Sequence, residues 1–355
     1  MQGPTAPLRR RSRRNRLALV GFLAVVLTGG VAAGMALQSD SESPLHAAAG
    51  GSPLPTTPPP TTPSPSPTPE GGRLLIRGTG DVSLDPGYIP NFQTYGYRYA
   101  WSGLDGLFKR DDLTVVNLEC AISNLGSAVP KEFNFRCDPN AIPSMRAAGV
   151  EVANLGNNHG YDYGPSAIAD SRKNLRQGGI APVGVGKDHE QALQPALFEI
   201  NGWKVAVVGF DQVVDPYPEA IATEDKPGTS AGHDVDLMVR TIRAVANDAD
   251  IVIVTIHWGV ELDTQPRPEQ IDQAHRFIDA GADIIFGHHS HRLQPMGRYR
   301  ARPIFWGLGN FVWPNHSVEG ATTAVAEVEV SPKGKFKGRL IPAFITSAGH
   351  PVLQG

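Results

Sequence analysis

Cysteine is scarce in this chain, with two residues, Cys120 and Cys137, among 355. No CxxC spacing occurs, which removes a cysteine-based metal site. A surplus of charge is lacking too. Charged residues make up 19% and the formal net charge is -3, so the totals exclude the broad basic face that nucleic-acid binding requires. No internal repeat is apparent. At 355 residues the chain suits one large domain with appendages, because single cores stop growing near roughly 250–300 residues.

The positive charge that is present gathers at the front, in Arg9, Arg10, Arg11, Arg13, Arg14 and Arg16. An apolar stretch without charge follows over residues 17–37, and Asp40 and Glu42 come after it. About 20 apolar residues span a bilayer, whereas a cleaved signal peptide has an apolar core of about 7–15. Length therefore favours a signal anchor, while the small-residue patterns Val31-Ala32-Ala33 and Gly34-Met35-Ala36 leave a cleaved signal peptide open. In both cases the remainder is expected outside the cytoplasm, membrane-anchored by the N-terminal helix or secreted. Residues 50–69 are rich in Pro, Thr and Ser, a composition that buries no core and acts as a disordered or extended spacer. The expected organisation is a basic cytoplasmic N-terminus (1–16), a signal anchor or signal peptide (17–37), a linker (38–70) and one domain (71–355). In an oxidising compartment Cys120 and Cys137 are expected to form a disulfide, stabilising by roughly 3 kcal/mol.

From residue 71 onward, apolar runs alternate with amphipathic stretches. Strands are expected at 74–76, 113–116, 152–155, 204–210, 251–256 and 283–286, each followed by a polar cluster. Helical periodicity covers 165–177, 234–246 and 267–280. Further strands are expected at 303–306 and 322–330, the second with the alternation of a half-exposed antiparallel strand. Such alternation predicts an α/β layered domain, in which ligands bind beyond the carboxyl ends of the strands.

At those strand ends stand Asp81, Glu119, Asn158, His159, His257, His289 and His291. Imidazole, carboxylate and amide oxygen together suit a borderline divalent ion such as zinc, manganese or iron. An HxH pair lets both rings reach one ion, because alternate side chains of an extended chain point the same way. Taken singly, Asp81 could cap a turn, Asn157 or Asn158 could occupy a left-handed loop position, and Trp258, Trp306 and Trp313 could be core rather than groove. His275, on an expected helix, reads as a surface histidine. Asp211 ends an expected strand and is a weaker candidate.

Six ordered blocks carry a family resemblance: Gly80-Asp81-Val82, Asn117-Leu118-Glu119, Asn157-Asn158-His159 with Asp162-Tyr163-Gly164, His257-Trp258-Gly259 with Glu261, Gly287-His288-His289-Ser290-His291, and Leu308-Gly309-Asn310-Phe311. On these the chain resembles the CapA family of bacterial poly-gamma-glutamate capsule synthesis proteins (PGA_cap domain), itself similar to the calcineurin-like metallophosphoesterases. The resemblance implies an α/β/β/α sandwich holding one or two divalent ions (Mn, Zn or Fe). It places Asp81 and His291 on the first metal, Glu119 as the bridging carboxylate, and Asn158, His257 and His289 on the second. His159 would be general acid, oriented by Asp162, with Glu261, His288 and Asn310 as supporting or substrate contacts. Two departures stand out: Ser83 replaces the histidine of the Asp-x-His block, and Asn117-Leu118-Glu119 replaces the Gly-Asp block.

Three functions follow as expectations. The first is an extracytoplasmic metal-dependent hydrolase or transferase in capsule or poly-gamma-glutamate biosynthesis. The second is a non-catalytic polymer-binding accessory of a membrane synthase, and the third a general secreted metallophosphoesterase. The expected partners are an anionic cell-envelope polymer or its precursor and, through the N-terminal segment, the membrane; nucleic acid is not expected.

Overall fold

A computed structural model describes residues 71–213 and 217–355. The basic N-terminus, the apolar segment 17–37 and the linker 38–70 lie outside the described residues. No helix among the described residues is long and apolar enough to cross a membrane.

The apolar runs become strands. β1 (Leu74–Val82), β2 (Leu113–Leu118) and β3 (Val152–Asn154) lead to helix α1 (Gly164–Gln177) and β4 (Ala181–Val183). β5 (Ala196–Ile200) and β6 (Trp203–Asp211) follow, then α2 (Val235–Ala246), β7 (Ile251–His257), α3 (Pro268–Asp279) and β8 (Ile284–His288). The remainder is mostly strand: β9 (Met296–Tyr299), β10 (Arg302–Phe305), β11 (Asn310–Val312), β12 (Thr322–Val330), β13 (Phe336–Ser347) and β14 (His350–Leu353). Helix starts obey local chemistry. The Asp234 carboxylate accepts from Leu237 N at 2.8 Å to open α2, and Pro268 takes the first position of α3, where its missing N–H costs nothing.

Two main sheets result. One runs β14-β13-β12-β1-β2-β3-β4, with β11 also beside β1; the other runs β9-β10-β8-β7-β6-β5. β1 to β4 are mutually parallel, as are β6, β7, β8 and β10. Strand alternation divides the apolar side chains into layers. Ile251 and Ile253 of β7 join Leu74, Val115 and Val152 between the sheets, whereas Val252, Val254 and Ile256 face Met238 of α2 and Phe277 of α3. On the far side of the first sheet, Val116 and Leu118 pack with Ile168 and Leu175 of α1. Buried on both faces, the parallel strands read as continuous apolar runs. The Phe286 ring lies so near Gly78 that any side chain there would collide with it.

β12 departs from expectation. It is antiparallel, as its pattern suggests, but it is an inner strand between β1 and β13 and is buried along most of its length. Its polar positions are satisfied internally. Glu327 accepts from Arg77 at 2.5 Å and from Arg339 at 2.5 Å, and Arg77 also lies 3.2 Å from Asp111.

Cys120 and Cys137 form the expected disulfide. It closes a loop pinned by a short parallel pair, Ala121–Ile122 with Arg136–Cys137.

Candidate metal centre

Parallel strands of both sheets end at one place. The first sheet contributes Asp81 at the end of β1, Glu119 just past β2, and Asn158 and His159 after β3; the second contributes His257 at the end of β7 and His289 and His291 beyond β8. One atom each of Asp81, Glu119 and His291 lie within 4.8 Å of one another. Glu119 Oε1 stands 3.6 Å from His291 Nε2, 3.8 Å from His257 Nε2 and 3.9 Å from His159 Nε2. His257 Nε2 is 3.1 Å from His289 Nδ1. Six side chains from distant parts of the chain thus meet at one place, and Asn158 lines the adjoining cleft with His159 and His289.

Beneath them lies an asparagine network. Asn117 Nδ2 donates to Asp81 Oδ1 at 2.9 Å and lies 3.2 Å from His257 Nδ1, so one amide touches a candidate ligand from each sheet. Asn154 and Asn157 in turn donate to Asn117 Oδ1 at 3.0 and 3.2 Å. Neither Asn157 nor Asn158 has the left-handed backbone that the sequence allowed. That conformation falls instead on His289 (φ 86°) and His291 (φ 49°). Left-handed geometry at non-glycine residues costs about 1–3 kcal/mol and collects at functional sites.

The pocket is dry. Asp81 and Glu119 are fully buried. Burial, reinforced by the neighbouring Asp81 charge, pushes the Glu119 carboxyl well above its usual range. Burial pushes the Asp81 carboxyl up, but His291, His288 and Asn117 together outweigh it and hold the carboxyl below its usual range. Burial pulls His288 down to about 4 and His289 to about 3, and it lowers His257 with help from the neighbouring imidazoles. These rings are neutral at neutral pH, the form whose lone pair binds metal. His291 is raised despite burial, by Asp81, Glu261 and Asn310.

The donor set fits a divalent cation. Asp81 Oδ2, Glu119 Oε1 and Asn158 Oδ1 are buried and accept no hydrogen bond. Unpaired buried acceptors are costly, and two carboxylates aggravate the cost by repulsion. A cation beside Asp81 and Glu119 would satisfy both of theirs, and the Asp81, Glu119 and His291 group could hold one. Ser83 is buried with its hydroxyl unpaired and supplies no imidazole.

The remaining candidates separate. His159 Nδ1 lies 2.7 Å from Asp162 Oδ2, and its ring faces Phe135 at 4.2 Å. Asn310 Oδ1 is 2.8 Å from His291 Nδ1 and orients that ring. His288 is turned inward, its Nε2 3.0 Å from Thr255 Oγ1. Glu261 is exposed and lines, with His159 and His289, a cleft of about 520 Å³. Trp258 and Trp306 stack in the core, Trp313 packs 4.9 Å from the His291 ring, and His275 stacks on Tyr299 away from the centre. Asp211 pairs in register with His257; burial pushes its carboxyl up to about 7.

Lys131 was not among the expected residues. Its Nζ lies 2.5 Å from Asp162 Oδ1 and donates to Asn158 O at 2.5 Å, with the side chain 8% exposed. It reaches the pocket from the loop that the disulfide closes, as does Phe135, whose N–H donates to Asp162 Oδ2 at 2.6 Å. Asking what that disulfide holds in place beside Glu119 is the signal that points to both.

The family model described as bacterial capsule synthesis protein PGA_cap matches residues 76–315. The chain belongs to the PGA_cap family. Among its relatives, Capsule biosynthesis protein CapA of Bacillus anthracis is 30% identical over 274 residues, covering 75% of this chain and 66% of that protein. PGA biosynthesis protein CapA of Bacillus subtilis is 28% identical, covering 69% and 64%. A Mycobacterium tuberculosis relative named "Probable polyglutamine synthesis accessory protein" is 32% identical, covering 66% and 64%. The chain thus spans a little under two thirds of the length of these PGA_cap relatives. In fold it is similar to NAD nucleotidase (NadN) of Haemophilus influenzae, with a TM-score of 0.50 and 16% identity over 78% of this chain and 50% of that one. The six blocks that suggested the family all fall within the matched residues.

Proposed function

We propose that this chain is an extracytoplasmic, metal-dependent hydrolase or transferase with a calcineurin-like metallophosphoesterase centre, acting on an anionic cell-envelope polymer or its precursor. The observation that carries the reading is the junction of two elements: orphaned buried acceptors on Asp81, Glu119 and Asn158, and a His159–Asp162 pair whose ring nitrogen faces Glu119 at 3.9 Å. A merely structural metal site needs no such pair. Asp81 and His291 would hold one cation, Asn158, His257 and His289 a second, with Glu119 between them. Bound there, such ions supply a hydroxide nucleophile and neutralise charge on a phosphoryl or carbonyl oxygen.

The chain's own residues do the rest. Asp162 fixes the His159 ring through Nδ1 and leaves Nε2 toward the pocket. Burial lowers the basicity of His159, and Lys131 lowers it further, while Asp162 opposes both. An anionic substrate would raise it, so that Nε2 takes up a proton and passes it to the leaving oxygen, a step worth about 10²–10⁴-fold. Phe135 and Trp313 pack against the His159 and His291 rings and limit their movement. The apolar segment 17–37, its preceding arginines and the disulfide support the location outside the cytoplasm.

The test is turnover of phosphoesters and gamma-glutamyl polymers by the full-length protein and by His159→Ala. We expect activity that falls at least about a hundredfold in the variant. A second reading, a polymer-binding accessory without hydrolysis, is favoured by Ser83 at the position of a missing imidazole. It predicts no turnover of either substrate class and polymer binding unchanged in His159→Ala.

A further inference from the structure

A groove lies on the flank of the domain, between two open sheet edges. β4 ends the first sheet and pairs with β3 alone; β5 ends the second and pairs with β6 alone. A cavity of about 380 Å³ runs between these edges, and one of about 310 Å³ adjoins it, the two sharing Arg172, Arg176 and Gln191. Four cations line the pair, Arg172, Lys173, Arg176 and Lys187, and no carboxylate lines either. In a chain of net charge -3 this is a local reversal of sign.

Only one of these four cations has an ion-pair partner among the described residues. Among the described residues Arg172, Lys173 and Arg176 enter no ion pair, and Lys187 meets only Asp188, at 3.2 Å. Asp188 is already engaged, accepting from Gln191 N at 2.8 Å. Asp170, also on α1, is turned to Ser123 and Asn174. Arg172 Nε is buried without an acceptor. Burial together with the Arg176 charge pulls the Arg172 guanidinium below its ordinary value against a weaker opposing effect of Asp188, so two like charges are held close. Like charges four residues apart destabilise a helix by some tenths of a kcal/mol. The negative end of the α1 dipole compensates Arg176 in the last turn, but it leaves the buried Arg172 Nε unsatisfied and does not account for Lys187, which comes from another segment.

Guanidinium forks and ammonium groups without partners call for oxyanions, and carboxylates suit the fork geometry. An open strand edge calls for backbone amides. Leu197 of β5 is 68% exposed beside that edge and offers an apolar contact for methylene groups of such a chain. We infer that this groove docks a carboxylate-rich polyamide chain, extended along the open edge of β5 with its carboxylates on Arg172, Arg176 and Lys187. α1 begins just after Asp162, and Arg172 lies about 12 Å along its axis from Gly164. The groove therefore lies toward the far end of α1 from the candidate centre. The inference deepens the function proposed above and rests on it for the identity of the polymer, because it says where that polymer is held.

The experiment is binding of fluorescent poly-gamma-glutamate to the full-length protein by anisotropy, with polyphosphate and neutral polyglutamine as competitors. Lys173→Glu/Arg176→Glu is compared with wild type, and Arg172→Gln serves as a second, uncharged variant; metal content is measured on every sample. Expected are a loss of affinity of about tenfold or more in both variants with metal content unchanged, a steep fall with salt, and no competition by polyglutamine. Wild-type affinity in both variants would overturn the groove and leave the metal centre standing. Polyphosphate competing better than polyglutamate itself would overturn the carboxylate preference. A wild type that holds metal but binds no polyglutamate would overturn both the groove and the polymer as substrate.

Discussion

Asn117 donates from its amide nitrogen to Asp81 Oδ1 at 2.9 Å, across neighbouring parallel strands whose registers place the two residues side by side. The same nitrogen lies 3.2 Å from His257 Nδ1. One asparagine therefore sets the orientation of a carboxylate from the first sheet and an imidazole from the second. Replacing it with alanine removes no metal ligand but frees both. Asn117→Ala is expected to weaken divalent-metal binding about 10–100-fold, measured by chelator competition, with the far-UV spectrum retained. Unchanged affinity would mean that the ligands are oriented by other contacts.

Lys131 and Asp162 form a buried ion pair that also anchors His159. Removing one member of such a pair strands the other charge. Lys131→Met is expected to lose about 3 kcal/mol in urea unfolding. Adding Asp162→Asn should recover part of that loss, because the stranded carboxylate is then gone. Fully additive losses would deny the coupling.

The disulfide acts on the candidate centre as well as on stability. Cys120 is adjacent to Glu119, and the loop it closes carries Lys131 and Phe135. Cys120→Ser/Cys137→Ser is expected to lose about 3 kcal/mol and to weaken metal binding, while a disulfide lost from a remote loop would change stability alone.

Glu327 makes stability depend on pH. Burial pushes its carboxyl up, but the hydrogen bonds from Arg77 and Arg339 outweigh this and hold it below the ordinary value of 4.5. A carboxyl whose folded value is depressed contributes stability that is present above about pH 4.5 and lost as pH falls through the folded value. Glu327→Gln should therefore be less stable at pH 7 and should show a shallower loss between pH 5 and 3, read from thermal midpoints across that range. Parallel pH curves for the two proteins would rule the contribution out.

Much of this was legible in the sequence because parallel strands buried on both faces announce themselves as apolar runs, and the ligands follow those runs directly. Leu113–Leu118 and Ile251–His257 were readable for that reason. β13 was not, since Phe336–Ser347 carries lysine, arginine, glycine and proline on a partly exposed strand, and its pairing with β12 sets its length more than its own composition does. The polar positions of β12 suggested solvent where the structure supplies arginines, because an ion pair between distant residues leaves no local pattern. Lys131 escaped for a related reason. It stands on an irregular loop, and only the fold brings that loop over His159.

Equilibrium metal binding by the full-length protein, compared with Glu119→Gln and His291→Ala, bears most directly on the centre. Wild type should retain at least about one divalent ion per chain after dialysis, and both variants should lose most of it, since each removes a donor from the Asp81, Glu119 and His291 group. A metal-free wild type, or equal metal in all three proteins, would contradict the proposal that this pocket is built around a cation.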